Sequence, residues 1–173
     1  MTRVERANET DIAAMVALNN RYAPMGLTLA RTEEFAYVHL ADYRVIREAD
    51  GGVVGCVALD EYSPSVAEII SLAVHQRAQG LGHGKKLIAA AEDLARRRGY
   101  AELFAVSYSD DLFLSLGYER TALSEYPEKV SRYEAIDQSE ILVGEKHCFT
   151  RRLADRARTT HLDHGIANSV RAT

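Results

Sequence analysis

The most informative stretch of the sequence runs from Val74 to Leu87 and reads VHQRAQGLGHGKKL. A β-rich run precedes it and a pattern of apolar residues at helical spacing follows it, so its glycines lie where a strand becomes a helix. Such a turn directs unpaired backbone N–H groups to one point, and the positive end of the helix dipole adds to them. The pattern predicts a site for an anion, in the first place a phosphate.

Two common phosphate loops do not match this turn. A dinucleotide-binding G-x-G-x-x-G would need glycine at Lys85, and a P-loop would need glycine at Gln79 and Ser or Thr at Lys86. The spacing that remains is R-x-x-G-x-G, from Arg77 to Gly82. A tight strand-to-helix turn without a ligand is the alternative interpretation.

The segments before the turn predict the first half of a sheet. Residues 43–48 and 53–59 are β-rich runs around an Asp-Gly-Gly turn, which is typical of a hairpin, and residues 66–74 are a third β-rich run. Ahead of the hairpin we predict a strand over residues 2–6, a helix capped at Thr10-Asp11 and a shorter helix over residues 31–41.

The segments after the turn predict a crossover. A helix ends at Gly99, with an apolar face made of Leu87, Ile88, Ala91, Leu94 and Ala95. A strand over 101–107 and a short helix over 110–116 follow, and we expect extended chain from Tyr118 and a last strand over 147–153. The fold class is therefore α/β (α+β), a mixed central sheet with helices on both faces.

Length and composition set the domain organisation. A chain of 173 residues suits one domain, which we place at residues 1–153. Residues 154–173 contain few large apolar residues and are expected to form a tail or a peripheral helix. His161 and His164 have a spacing compatible with a metal, but no further ligand motif supports them, so no metal is expected.

Charge and cysteine content exclude several functions. Lys and Arg total 21 against 25 Asp and Glu, a net charge of −4, so no nucleic-acid partner is expected. No apolar run approaches the ~18 residues of a membrane span, and the N-terminus lacks a signal-peptide pattern. Cys56 and Cys148 lie far apart and are interpreted as small buried hydrophobes of a reduced, cytoplasmic protein.

The R-x-x-G-x-G stretch resembles the acetyl-coenzyme A pyrophosphate loop of the GNAT acetyltransferase superfamily. LFLSLGY, residues 112–118, resembles the second signature of that superfamily, usually written F-Y-x-x-x-G-F. The predicted order of elements from about Arg3 to Leu153 is also similar to the whole GNAT fold. The resemblance implies an acetyl-coenzyme A-dependent N-acetyltransferase, with strands that splay apart at the coenzyme site and no covalent intermediate.

The resemblance also implies which residues bind the coenzyme. The pantetheine arm would pair with the strand at Leu72, Ala73 and Val74. The pyrophosphate would lie on the glycine turn, at Gln79, Gly80, Leu81, Gly82, His83, Gly84 and Lys85. Phe113 is expected at the coenzyme too, where the superfamily usually has the tyrosine that protonates the leaving thiolate. Another general acid is therefore needed, and Tyr108 is our candidate, with an ordinary core tyrosine as the alternative.

Acetylation of an amine needs a base, because the attacking nitrogen must be neutral. Strand alternation puts Val66, Glu68, Ile70, Leu72 and Val74 on one face, so Glu68 is a single carboxylate among apolar neighbours. Such surroundings raise the pKa of a carboxyl group toward the working range of a base. AEI, residues 67–69, resembles the segment that carries the general base in histone acetyltransferases. An ion-paired strand residue is the alternative for Glu68.

The amine substrate is predicted from a narrower resemblance, to the short stand-alone bacterial N-acetylglutamate synthases. The shared stretches are residues 25–34, 54–59, 67–74, 104–108 and 126–130. They imply acetylation of the α-amino group of L-glutamate, the first step of arginine biosynthesis, with Arg31 and Lys129 as cations for its carboxylates. Members of this group commonly have cations at the positions of Ile70 and Ser109. Arg132 or His83 are candidates to compensate.

Other interpretations stay open. The substrate could be another amino acid, a polyamine, an antibiotic or a protein amine. A non-catalytic module that binds acyl-coenzyme A is a third interpretation, which Phe113 favours and Glu68 opposes. A homodimer is implied only by the resemblance.

Overall fold

The computed structural model describes residues 2–136 and 146–153, which form one seven-stranded sheet with helices on both faces. The strands are β1 (Val4–Arg6), β2 (Arg44–Arg47), β3 (Val53–Ser63), β4 (Val66–Val74), β5 (Glu102–Ser107), β6 (Glu119–Thr121) and β7 (His147–Arg152). The helices are α1 (Ile12–Asn20), α2 (Glu33–Val38), α3 (His83–Arg98), α4 (Asp110–Ser115) and α5 (Pro127–Glu134).

The order of strands is β1-β2-β3-β4-β5-β7-β6. Neighbours are antiparallel except β4 and β5, which are parallel and joined through α3. The predicted mixed sheet, antiparallel first and crossed over later, is confirmed.

Two apolar layers hold the helices against the sheet. The predicted face of α3 is buried in full, against side chains such as Ile46, Leu59 and Ile69. On the other face, α1 and α2 pack against Val45, Cys56 and Ile70. Because Val45 and Ile46 alternate along β2, the two layers lie on opposite faces of the sheet. Cys56 and Cys148 are both buried and free, as predicted.

The single face predicted for β4 is wrong beyond Ile70. Ser71 has a φ of +52°, and the register between β3 and β4 shifts at this point. Leu72 and Val74 consequently pack on the α3 side, whereas Ile70 and Ala73 pack on the α1 side. A β-bulge inserts one residue and so reverses the alternation, which the period-two pattern does not reveal.

The extended chain predicted after Tyr118 is also wrong in part. β6 is extended, but α5 follows it. Pro127 is the first residue of α5, a position where proline suits a helix. The buried residue of α5 is Lys129, so the helix lacks the apolar stripe by which helices are recognised.

The predictions for residues 154–173, including His161 and His164, lie outside the described residues. Within the described residues no helix is both long and apolar enough to cross a membrane. In the same part of the chain, no three His, Cys, Asp or Glu side chains are grouped so as to hold a metal ion.

Candidate active site

A cavity opens where the two parallel strands separate. β4 and β5 pair only from Val66 opposite Glu102 to Glu68 opposite Phe104. Beyond Glu68 the strands diverge, and residues of both line a cavity of about 740 Å³. On this side of β4, the backbone from Ile69 to Val74 has no strand partner among the described residues. An extended ligand could therefore pair with it, as the predicted pantetheine contact requires.

The cavity brings together all of the predicted site residues except Leu81 and Arg132. Its walls include Arg31, Glu68, Ile70, Leu72, Ala73, Val74, Gln79, Gly80, Gly82, His83, Gly84, Lys85, Tyr108, Ser109, Phe113 and Lys129. Leu81 is 64% exposed, and neither Leu81 nor Arg132 lines the cavity. The individual roles of these residues remain predictions.

The glycine turn is shaped to receive an anion. Gly80 and Gly82 have φ values of +76° and +79°, which L side chains rarely adopt, and a Cβ at either residue would meet open space. Gly82 begins α3 without a side-chain cap, so the first N–H groups of the helix are left for a ligand. Within the part of the chain that the structure describes, Nδ1 of the buried His83 has no hydrogen-bond partner. These features suit the pyrophosphate of coenzyme A.

The carbonyl of Val74 is already engaged. It accepts the Tyr22 hydroxyl at 2.5 Å and the side-chain amide of Gln79 at 3.1 Å. That amide also donates to the Tyr22 hydroxyl at 3.1 Å. The Gln79 side chain therefore links the turn to Tyr22, just after α1, and the backbone of Gln79 is the part left for the proposed phosphate contact.

Glu68 is a buried, ion-paired carboxylate. The Lys129 ammonium lies 2.8 Å from Oε1 and 3.0 Å from Oε2, and the two side chains are only 5% and 6% exposed. The purely apolar surroundings predicted for Glu68 are therefore wrong, because α5 brings a cation to it. A buried carboxylate needs such a partner, since an uncompensated charge in the interior is costly.

Two tyrosines and an arginine surround this pair. Burial, followed by the Glu68 charge, raises the pKa of Tyr62 and of Tyr133. The Arg132 guanidinium lies 4.2 Å from the centre of the Tyr62 ring and binds Asp60 at 2.7 Å. Arg132 does not line the cavity, so the suggestion that it binds a substrate carboxylate is wrong for this arrangement.

The cavity contains a cation that the sequence analysis missed, Lys146. β7 lies beside β5 with His147 opposite Ser107, and this register brings Lys146 next to Tyr108. Its Nζ lies 5.6 Å from the centre of the Tyr108 ring. Burial and then the Lys129 charge lower the pKa of Lys146, while Glu68 opposes the shift. Only the placement of β7 could have identified this residue, since no motif surrounds it.

Arg31, like Lys146 and like Lys85 at the glycine turn, is a cation of the cavity without a carboxylate partner among the described residues. Its Nε is buried without a hydrogen bond, and its guanidinium stacks 4.5 Å from the centre of the Phe35 ring. Ile70 and Ser109 add an apolar and a neutral polar surface to the same cavity. Phe113 is 1% exposed and stacks on Phe149, so it contributes packing and no proton donor.

Comparison with known proteins gives the same fold and chemistry. The sequence model of the acetyltransferase (GNAT) family matches residues 9–118. An uncharacterized N-acetyltransferase of Chlorobaculum tepidum is 30% identical over 131 residues, which are 76% of this chain and 84% of that protein. An amino-acid acetyltransferase of Neisseria meningitidis is 32% identical over 127 residues, 72% of this chain but 29% of that protein.

Among solved structures, the chain is similar to N-acetylglutamate synthase from Neisseria gonorrhoeae, complexed with coenzyme A and N-acetyl-glutamate. The TM-score is 0.78 and the identity 29%, over 89% of this chain and 35% of that one. The chain thus spans about a third of these longer relatives. The match over more than half of its length shows that the chain belongs to the acetyltransferase (GNAT) family, as an acetyl-coenzyme A-dependent N-acetyltransferase.

Proposed function

We propose that the chain acetylates the α-amino group of an acidic amino acid, with L-glutamate as the first candidate. The observation that carries the proposal is the composition of the cavity. One buried carboxylate, Glu68, lies in its wall. Away from Lys85 at the glycine turn, the wall also contains Arg31 and Lys146, two cations that have no carboxylate partner among the described residues. The amino-acid acetyltransferases and the N-acetylglutamate synthase to which the chain is similar support the same substrate class.

Glu68 is proposed as the general base. An amino acid enters as an ammonium ion, and its nitrogen becomes a nucleophile only after it loses a proton. Glu68 is the carboxylate of the cavity wall, and the bidentate contact with Lys129 fixes its orientation. A base held in one orientation can receive the proton as the amine approaches the thioester.

The diverging strands are proposed to stabilise the negative charge that develops in the transition state. The amine forms a bond to the acetyl carbonyl carbon, and negative charge develops on the carbonyl oxygen before the carbon–sulfur bond breaks. Unpaired N–H groups of β4 can donate to that oxygen. The thiolate then takes a proton, for which Tyr108 lies on the cavity wall.

The carboxylates of the substrate are assigned to Arg31 and Lys146. Lys129, which the sequence analysis also assigned to them, already binds Glu68 on both oxygens. An arginine whose Nε is buried without a partner gains a hydrogen bond when a carboxylate arrives. Glutamate has two carboxylates, so both cations would be used, and the reaction would open arginine biosynthesis.

Ile70 supports a second candidate, an amino acid with a neutral side chain. Its side chain is 5% exposed and apolar, and it cannot bind a carboxylate. Such a substrate would use one cation for its α-carboxylate and pack its side chain against Ile70 and Ser109.

The first experiment measures release of the free coenzyme A thiol from acetyl-coenzyme A by the purified protein. The amines are glutamate, glutamine, aspartate, ornithine, lysine, spermidine and a peptide amine. Selective turnover of glutamate supports the proposal. Preference for glutamine supports the second candidate, and turnover of spermidine or the peptide alone contradicts both.

The Lys146→Met variant tests the assignment of the carboxylate. We expect the KM for glutamate to rise by at least about tenfold, the cost of losing one charge-assisted hydrogen bond, while the KM for acetyl-coenzyme A is unchanged. Lys86→Met is the matched control, because Lys86 is exposed and outside the cavity. Equal effects of the two changes would overturn the role of Lys146.

A further inference from the structure

A second cavity, separate from the acetyl-transfer site, is lined by arginines. It has a volume of about 1000 Å³ and lies between β1, the start of β2 and the C-terminal half of α3. Its wall contains Arg3, Arg6, Arg44, Arg97 and Arg98. None of its lining residues belongs to the first cavity. The net charge of the whole chain is −4, so a cluster of five arginines differs in sign from the chain as a whole.

The acidic residues near this cavity pair with only one of its five arginines among the described residues. Glu5 and Asp93 also line the wall, but they bind Arg47 at 3.2 Å and Arg96 at 3.5 Å, two arginines that lie outside the cavity. Asp42 binds Arg98. Among the described residues, the other arginines of the cavity form no ion pair.

Arg44 is the centre of the arrangement. It is 7% exposed, and its guanidinium donates to two backbone carbonyls, those of Tyr43 at 2.7 Å and Ala41 at 3.2 Å. Burial is the main cause that lowers the pKa of Arg44, and the charges of Arg97 and Arg6 add to it. A buried cation among other cations lacks the counter-charge that usually accompanies it.

We propose that this cavity binds a small phosphate-bearing polyanion. Guanidinium groups match phosphate oxygens in pairs, and an open cavity of this size admits a chain of several phosphates. Arg6 and Arg97 are both exposed, come from different elements of the wall, β1 and α3, and both act through their charge on Arg44. The anion supplies the counter-charge for Arg44 and links the edge strand to the helix.

Isothermal titration calorimetry with tripolyphosphate tests this proposal. The acetyl-transfer site is first saturated with coenzyme A, because the glycine turn also attracts phosphate. Titration is done at ~50 mM salt, where screening is weak. We expect one tripolyphosphate per chain, with binding weakened by at least about tenfold in the R6Q/R97Q double variant. Both residues are exposed, so the variant retains the fold.

The R120Q/R152Q double variant is the control. It removes the same charge from two exposed arginines outside the cavity and should bind as the unchanged protein does. Equal affinity of ATP and tripolyphosphate means that the cavity recognises the phosphates alone, and tighter binding of ATP means that a nucleotide is the ligand. No binding, or equal binding by both double variants, overturns the proposal. Preference for a hexaglutamate peptide also overturns it, in favour of an acidic protein segment.

Discussion

At the scale of single residues, Glu68 depends on one partner from a distant part of the chain. Its position in β4 makes it buried, and burial of a carboxylate without compensation would cost several kcal/mol. Lys129 offsets part of that cost with a contact to each oxygen. The same pair therefore affects both the stability of the domain and the proposed proton transfer, and experiments must separate the two.

Glu68→Gln is expected to lower kcat by about 10²-fold or more, because a positioned base is lost. The KM for acetyl-coenzyme A should stay unchanged. The loss should be greatest at low pH, where the neutral form of the amine is scarce and a base is needed most. The measurement is the pH profile of thiol release, and a profile of unchanged shape would remove Glu68 as the base.

Two further variants control for folding. Glu92→Gln removes a carboxylate that is equally buried and binds Arg151 at 2.8 Å, but lies outside the cavity. It should lower stability while the folded protein keeps its kcat. The E68Q/K129M double variant removes the stranded lysine as well, so it should regain stability without regaining activity.

Only some of the residues of the cavity could be selected from the sequence. Strand alternation and a short resemblance were enough to select Glu68 and Arg31, since both lie in recognisable segments. Lys146 could not be selected, because its place in the cavity depends on β7 lying between β5 and β6. Local sequence patterns do not determine the order of strands. A residue that reaches the cavity only through that order therefore cannot be identified from the sequence.

At the scale of elements, the start of α3 is the proposed phosphate site, and its backbone carries the prediction. Gly82→Ala places a methyl group where a phosphate would approach, so the Kd for coenzyme A should rise by at least about tenfold. Gly99→Ala is a matched control, since Gly99 has a φ of +83°, open space around it and a place at the other end of α3. Both changes should lower the free energy of unfolding by about 1 kcal/mol, because alanine is strained at a positive φ. Equal Kd values for the two variants would contradict a phosphate site at the turn.

The junction of α1 and β2 gives a pH-dependent prediction. Burial alone would raise the pKa of Asp11, but the hydrogen bonds from Arg47 and from the Asn8 N–H, with the Arg47 charge, outweigh it and lower the pKa. A lowered pKa in the folded state gives stability that is present above the pKa of the unfolded chain, near 4, and lost as pH falls through the folded value.

Asp11→Asn should therefore lower the free energy of unfolding by about 1–3 kcal/mol at pH 7. The difference from the unchanged protein should shrink below about pH 4. Urea denaturation at several pH values measures it. Asp93→Asn, an exposed carboxylate, should have little effect at any pH. A difference for Asp11→Asn that stays constant down to pH 2 would contradict this account.

Most elements were predictable because their signals are local. The hairpin turn, the glycine turn and the apolar face of α3 are each encoded by a short, continuous stretch of sequence. The bulge at Ser71 and the helix α5 could not be predicted from the sequence, because both depend on contacts with distant residues. Ser71 is fixed by contacts from Tyr43 and Cys56, and α5 by the ion pair with Glu68, all distant in the chain.

At the scale of the whole molecule, the sheet has two parts that meet along a short seam. β1 to β4 form one part and β5 to β7 the other, and β4 and β5 pair only up to Glu68 and Phe104. The cavity lies beyond the end of that seam, with residues of both parts in its walls. A ligand in the cavity would connect the two parts where the strands do not.

Coenzyme A should therefore stabilise the molecule as a whole. At a concentration ~100 times its Kd, linkage adds about 2.7 kcal/mol to the free energy of unfolding. For a chain of this size, that increment raises Tm by about 5–11 °C. Gly99→Ala should show the same shift from its own Tm, and Gly82→Ala a smaller one at equal concentration. Hydrogen exchange should slow in both residues 70–74 and 105–107, because the ligand bridges the two strands. Protection limited to the glycine turn would mean that coenzyme A binds through its phosphates alone and leaves the seam as open as before.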